Sequence, residues 1–146
     1  MIDPATRERI AQVCEAHGIG LCYLYGSQAL PDDPDEMADV DLGVVPHDWP
    51  KHEGGLSGWL ALQSALSPLV TPRPLDLVQL DRAGCHLQHE AVTEGTLVYC
   101  ADEELRVRFE DAVVREWLDY AWVVDANYKD IRAEMLPDET RDPHGT

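Results

Sequence analysis

Hydrophobic residues recur along the chain with two periods, and the switches between them mark its elements. Ile10, Val13, Cys14 and His17 keep helical spacing behind Asp3-Pro4, an N-cap followed by proline at the first helical position, and Gly18 stops the run. Residues 21–25 (Leu-Cys-Tyr-Leu-Tyr) form a short apolar and aromatic run ending at Gly26-Ser27, the pattern of a buried strand that delivers a turn. Two prolines and four acids make 31–36 an exposed loop. Residues 38–45 alternate, with Asp39, Asp41, Gly43 and Val45 on one face and Val40, Leu42 and Val44 on the other. This predicts a second strand with two carboxylates pointing the same way.

Residues 46–58 hold two prolines and three glycines and read as a connection. Ser57 is placed to cap a helix through Trp59, Leu60, Gln63 and Leu66 that Pro68 ends. After Pro72 and Pro74, residues 75–80 read as a third strand with Asp76 among apolar neighbours, 81–94 as a helix closed by Gly95, and 96–100 as a fourth strand. Asp102-Glu103-Glu104 opens the last helix, its acids matched to the positive end of the dipole. The stripe Leu105, Phe109, Val113, Trp117, Tyr120, Val124, Tyr128, Ile131, Met135 then holds helical spacing for about nine turns, roughly 45 to 50 Å. That is longer than a small domain is wide, so the helix either breaks or projects toward a partner. The pattern predicts an α/β (α+β) fold, a small mixed sheet flanked by helices. One domain spans 1–136, including the helical segment 102–136, and 137–146 is a flexible polar tail.

Composition narrows the function classes. The 146 residues suit one domain, and 45% hydrophobic with 27% charged residues is globular usage. With 28 Asp and Glu against 11 Lys and Arg, the net charge of −17 repels phosphate backbones and anionic headgroups, so no direct nucleic-acid or membrane partner is expected. No apolar run reaches the ~18 residues of a membrane helix, and Met1-Ile2-Asp3-Pro4 begins no signal sequence, which predicts a cytoplasmic protein. Cys14, Cys22, Cys85 and Cys100 form no C-x-x-C pair and read as buried, reduced thiols.

Three features then coincide: Gly26-Ser27 at the end of one strand, Asp39-x-Asp41 on one face of the next, and Asp76 inside a third. Strand alternation sets the Asp39 and Asp41 carboxylates about 6 to 7 Å apart on the same side. Hard oxygen ligands so placed suit Mg²⁺ shared with substrate phosphates, and a metal is the simplest compensation for like charges held together. Cys85-His86-x-x-His89-Glu90 also has ligand spacing on a helix, but it reads more simply as a helix with one buried cysteine and two surface histidines.

The order of motifs resembles the minimal nucleotidyltransferase family of the DNA-polymerase-β-like superfamily. The residues are Leu24-Tyr25-Gly26-Ser27-Gln28-Ala29, then Ala38-Asp39-Val40-Asp41-Leu42-Gly43-Val44, then Leu75-Asp76-Leu77-Val78. The segment 86–100 and the long helix after it look like the C-terminal half of MntA-type antitoxins, so the resemblance covers nearly the whole chain. Gln28-Ala29-Leu30 lacks the arginine common after the Gly-Ser turn, and the 11 residues between Ser27 and Asp39 are one more than usual.

The resemblance implies a nucleotidyltransferase fold and an ATP-dependent adenylyltransferase that releases pyrophosphate. Gly26 and Ser27 would bind the nucleotide's triphosphate. Asp39, Asp41 and Asp76 would be catalytic and hold two Mg²⁺ ions. The implied partner is a HepT-like RNase toxin of the HEPN family, silenced by AMP on a tyrosine. Two alternatives remain open: an acidic antitoxin that masks its toxin without chemistry, and a nucleotidyltransferase acting on a small antibiotic-type hydroxyl.

Overall fold

Asp3 caps helix α1 (Pro4–Ala16) as the Asp-Pro pair predicts, its carboxylate accepting the Thr6 N–H at 2.7 Å. Gly18, with φ at +71°, turns the chain out of α1 into strand β1 (Ile19–Tyr25). In this computed structural model, residues 2–26, 38–51 and 55–135 are described. The loop 31–36, the tail 137–146 and Ser27 lie outside them.

Strand β2 (Val40–Pro46) pairs antiparallel with β1 and parallel with β3 (Leu75–Gln79), and β4 (Thr96–Cys100) closes the other side of β1. The mixed sheet has the order β3-β2-β1-β4. Period-two alternation divides its side chains between two cores. Cys22, Leu24, Val40, Leu42 and Val44 pack with Ile10 and Cys14 of α1 and with Leu62, Leu66 and Val70 of helix α2 (Leu56–Val70). Leu21, Tyr23, Tyr25 and Val45 pack on the other face. There they meet Ala91 of helix α3 (Cys85–Glu94) and Leu105, Phe109 and Val113 of helix α4 (Glu103–Met135). Helices on both faces explain why β1 is buried along its whole length. The expected small mixed sheet flanked by helices is the fold observed.

Several boundaries differ from those the pattern predicts. The second strand starts at Val40 rather than 38, leaving Asp39 exposed just ahead of it. Gly55, not Ser57, stands at the N-cap of α2, with no side-chain cap bond. Pro68 lies inside α2 and does not end it. So near the helix end a proline forfeits one N–H bond, and buried Leu66 and Val70 hold the last turn against the core. The third strand ends at Gln79 because a 3₁₀ turn, Leu80–Arg82, follows it; α3 therefore starts at Cys85 instead of 81. Cys14 and Cys22 are buried, but Cys85 and Cys100 are only partly so, and all four are free thiols.

Helix α4 does not break. Its 33 residues reach about 50 Å. Its start packs at the far end of β1, where Leu105 lies against Gly20 and Phe109 meets Trp49 edge-on at 5.3 Å. Further along, Glu110 accepts a hydrogen bond from the Tyr23 hydroxyl at 2.9 Å, so the helix runs toward the Tyr25 end of the sheet. The buried stripe stops at Val113. Leu118 and Trp122 are 61% and 73% exposed, so the remainder of α4 projects beyond the layers that bury its start.

Candidate functional site

Strand register builds a row of polar side chains across one end of the sheet. Tyr25, the last residue of β1, pairs with Asp41 on β2, and Asp41 pairs with Asp76 on β3. Asp39 precedes β2 at the same end, where the Val40 N–H donates to the Pro74 carbonyl at 2.8 Å and ties the strand starts together. Gly26 adopts φ of +72°, and a Cβ there would collide with Oδ2 of Asp41. Only glycine lets the chain leave β1 directly over that carboxylate.

Asp41 and Asp76 are register partners on adjacent strands, so their carboxyl groups crowd each other. Burial first, then the nearby Asp76 and the charges of Asp39 and Glu90, push the Asp41 carboxyl up to about 6. Burial, followed by Asp41, Asp76 and Glu90, likewise raises the Tyr25 phenol, which stays a neutral hydroxyl beside the acids. Among the described residues, no three His, Cys, Asp or Glu side chains converge as a ready-made metal site. Without a cation, mutual repulsion keeps such carboxylates apart or joined through a proton. The donor set fits a hard divalent cation all the same. It is oxygen-only, and burial with the neighbouring carboxylates drives one member toward neutrality. Asp39, Asp41 and Asp76 are the residues that would hold one.

The structure thus brings Gly26, Asp39, Asp41 and Asp76 to one place; Ser27 lies outside the described residues. Two neighbours escape a reading of the sequence. Tyr25 has the pattern of a core residue alone, although its pairing with Asp41 sets it in the row. Glu90 reaches the site because α3 packs on the sheet face that carries Asp41, and no local spacing signals that. The histidines of α3 are not simply surface residues either. His89 stacks on Trp117 of α4 at 4.2 Å and 14°, and His86 at 5.4 Å and 25°, so they join α3 to α4 beside Glu90.

The polymerase beta nucleotidyltransferase model matches residues 8–104, which span α1 to the start of α4 and contain the whole carboxylate row. No curated protein matches the chain in sequence. Among solved structures, a chain of the MntA-HepT toxin-antitoxin complex aligns at TM-score 0.66 and 17% identity, over 90% of this chain and 100% of that one. A toxin-antitoxin structure with AMP-PNP aligns at TM-score 0.67 and 19% identity, over 87% and 98%. A complex of the tri-AMPylated Shewanella oneidensis HEPN toxin with MNT antitoxin aligns at 0.65 and 18%, over 88% and 98%. At these identities the structural likeness shows the fold, while the family match rests on the sequence that carries the site. The chain therefore belongs to the polymerase beta nucleotidyltransferase family.

Proposed function

We propose that this protein is an Mg²⁺-dependent adenylyltransferase that moves AMP from ATP to a tyrosine of a HEPN-type RNase toxin and so acts as the antitoxin. The observation that carries the chemistry is the meeting of Asp39, Asp41 and Asp76 at the Gly26 turn, with Asp41 displaced toward neutrality. A partly buried acidic cluster of this kind calls for a cation and for the phosphates that arrive with it.

Gly26, open to close approach, and Ser27 after it would hold the triphosphate tail. Asp39 and Asp41 would hold two Mg²⁺ ions, with Asp76 completing the second. Bound Mg²⁺ neutralises phosphate charge and eases loss of the attacking hydroxyl's proton. The tyrosine oxygen attacks the α-phosphorus, the bond to the β-phosphate oxygen breaks, and pyrophosphate leaves. The tyrosine proton passes to Asp76 or to water.

A protein acceptor is favoured by α4. Beyond Trp117 the helix runs on for 18 residues, about 27 Å, from the carboxylate end of the sheet. Leu118, Trp122 and Val123 are exposed on it. Glu116 and Asp119 lie beside them without an ion pair among the described residues, and the chain carries −17 overall, which steers a basic partner to this side. Similarity to complexes of HEPN toxins with MNT and MntA antitoxins supports the same class of partner.

The test mixes the full chain with the RNase encoded by its neighbouring gene, Mg²⁺ and ATP, and follows the partner by intact-mass spectrometry. Addition of AMP to a tyrosine, with loss of RNase activity, is the expected result. Inhibition at equal stoichiometry with no mass change would replace this reading by masking, which the acidic surface could also perform.

A further inference from the structure

A cavity lies away from the carboxylates. It has a volume of about 420 Å³, within the range of small-molecule sites. It opens between the end of α1, the first half of α2 and the ends of β2 and β3. Val44 and Gln79, register partners in its floor, are three residues along from the Asp41 and Asp76 pair, about 10 Å. Val44 faces the α1 and α2 layer, whereas Glu90 of α3 faces Asp41 from the opposite side of the sheet. The two sites are therefore separate.

The lining has a definite chemical character. Trp59, Leu62 and Val44 supply apolar walls. Gln79 borders the floor, but its Nε2 is sealed from the cavity as well as from outer solvent and has no hydrogen-bond partner among the described residues. Arg82 lines the same cavity and makes no ion pair among the described residues. In a chain with 28 acids, no Asp or Glu lines the cavity among the described residues. The start of α2 also borders the cavity at Gly55 and Gly58, and no side chain caps that helix.

We infer that this cavity binds a small aromatic acid. Its ring lies against Trp59 and Leu62, and its carboxylate takes the Arg82 guanidinium. An apolar body with a single anionic head covers the apolar walls and meets the cation that has no ion pair among the described residues. A neutral ring leaves Arg82 unmet, and a polyphosphate leaves the apolar walls uncovered.

The test uses the full chain and isothermal calorimetry with indole-3-acetate as probe and indole-3-acetamide as its uncharged counterpart. Indole-3-acetate is expected to bind saturably at one site, and the amide about tenfold more weakly, the usual scale of a charge-assisted pair. Arg82→Gln should weaken the acid by about tenfold and leave the amide unchanged. Gly58→Phe places a ring in open space, since a Cβ at Gly58 meets no atom within 4 Å. It should abolish binding while melting at or above the wild-type temperature, because it also removes a glycine from the first turn of α2. Absence of saturable binding at millimolar probe would overturn the inference. So would equal affinity for acid and amide, an unchanged acid affinity in Arg82→Gln, or wild-type binding by folded Gly58→Phe.

Discussion

Asp41→Asn separates the cost of holding carboxylates together from the benefit of what they bind. The Asp41 carboxyl titrates near 6 rather than at its ordinary 3.8, chiefly through burial and the nearby Asp76. At about 1.4 kcal/mol per pKa step, charging it in the folded state costs at most about 3 kcal/mol. Partial solvation trims that to about 1 to 2 kcal/mol. The sign follows from which state sheds its proton first. Below 3.8 both folded and unfolded chains hold the proton, and the cost is absent. Between 3.8 and about 6 the unfolded chain ionises while the folded one does not, so stability falls as pH rises, and above 6 the full cost applies.

Asparagine has the same shape and never ionises. At pH 8 the variant should therefore be more stable by about 1 to 2 kcal/mol, or roughly 3 to 8 °C in melting temperature for a chain of this size. The gap should close toward pH 4. Millimolar Mg²⁺ with ATP should raise the wild-type melt and leave the variant unmoved, while nucleotidyl transfer is lost. Circular-dichroism melts at pH 4.5, 6 and 8 make the measurement. A variant that melts below wild type at pH 8, or a gap equal at pH 4.5 and 8, would refute crowding of the Asp41 carboxylate as the source of its cost.

Asp76→Asn should reduce single-turnover transfer by about a hundredfold or more and change Mg·ATP affinity little, because in the proposed mechanism Asp76 would hold the metal next to the attacking hydroxyl; equal losses by calorimetry and kinetics would reverse the assignment of roles. Gly26→Ala must accommodate a Cβ against Asp41 at a φ of +72°, so a destabilisation of about 1 to 3 kcal/mol is expected together with weaker nucleotide binding, and unchanged urea midpoints would contradict the contact. Trp122→Glu alters an exposed position, so its stability should stay within about 0.5 kcal/mol of wild type while modification of a protein acceptor collapses. The wild-type rate of that modification should drop as salt rises from 50 to 300 mM, which shortens the Debye length about 2.4-fold, and a salt-independent rate would exclude charge steering.

What the sequence discloses and what it withholds follow from the range of the interactions. The alternation in 38–45 assigns faces correctly, because the side-chain period of a strand is local; Val40, Leu42 and Val44 do enter one core and Val45 the other. Asp3 and Gly18 bound α1 through hydrogen bonds and dihedrals confined to a few residues, so both ends are legible. Pro68 misleads because its local penalty is outweighed by Leu66 and Val70 packing against residues more than twenty positions away, and Leu80 misleads because an apolar residue fits a strand or a buried 3₁₀ turn equally well. Glu90 is invisible for a related reason: its approach to Asp41 depends on α3 covering the β1 and β2 face, a matter of topology rather than spacing. Apart from these, the local choices agree with the fold: the Asp3 cap, the strand alternation and the buried stripe to Val113 point the same way. Around Asp41 they conflict, since a glycine in a left-handed turn presses against a carboxylate already crowded by Asp76, Asp39 and Glu90. A chain consistent at every other level departs from that consistency where binding or chemistry requires it. On the proposed reading, the carboxylates flanking the Gly26 turn are held in an arrangement that is unfavourable for the protein alone and that an entering cation and phosphate would make favourable.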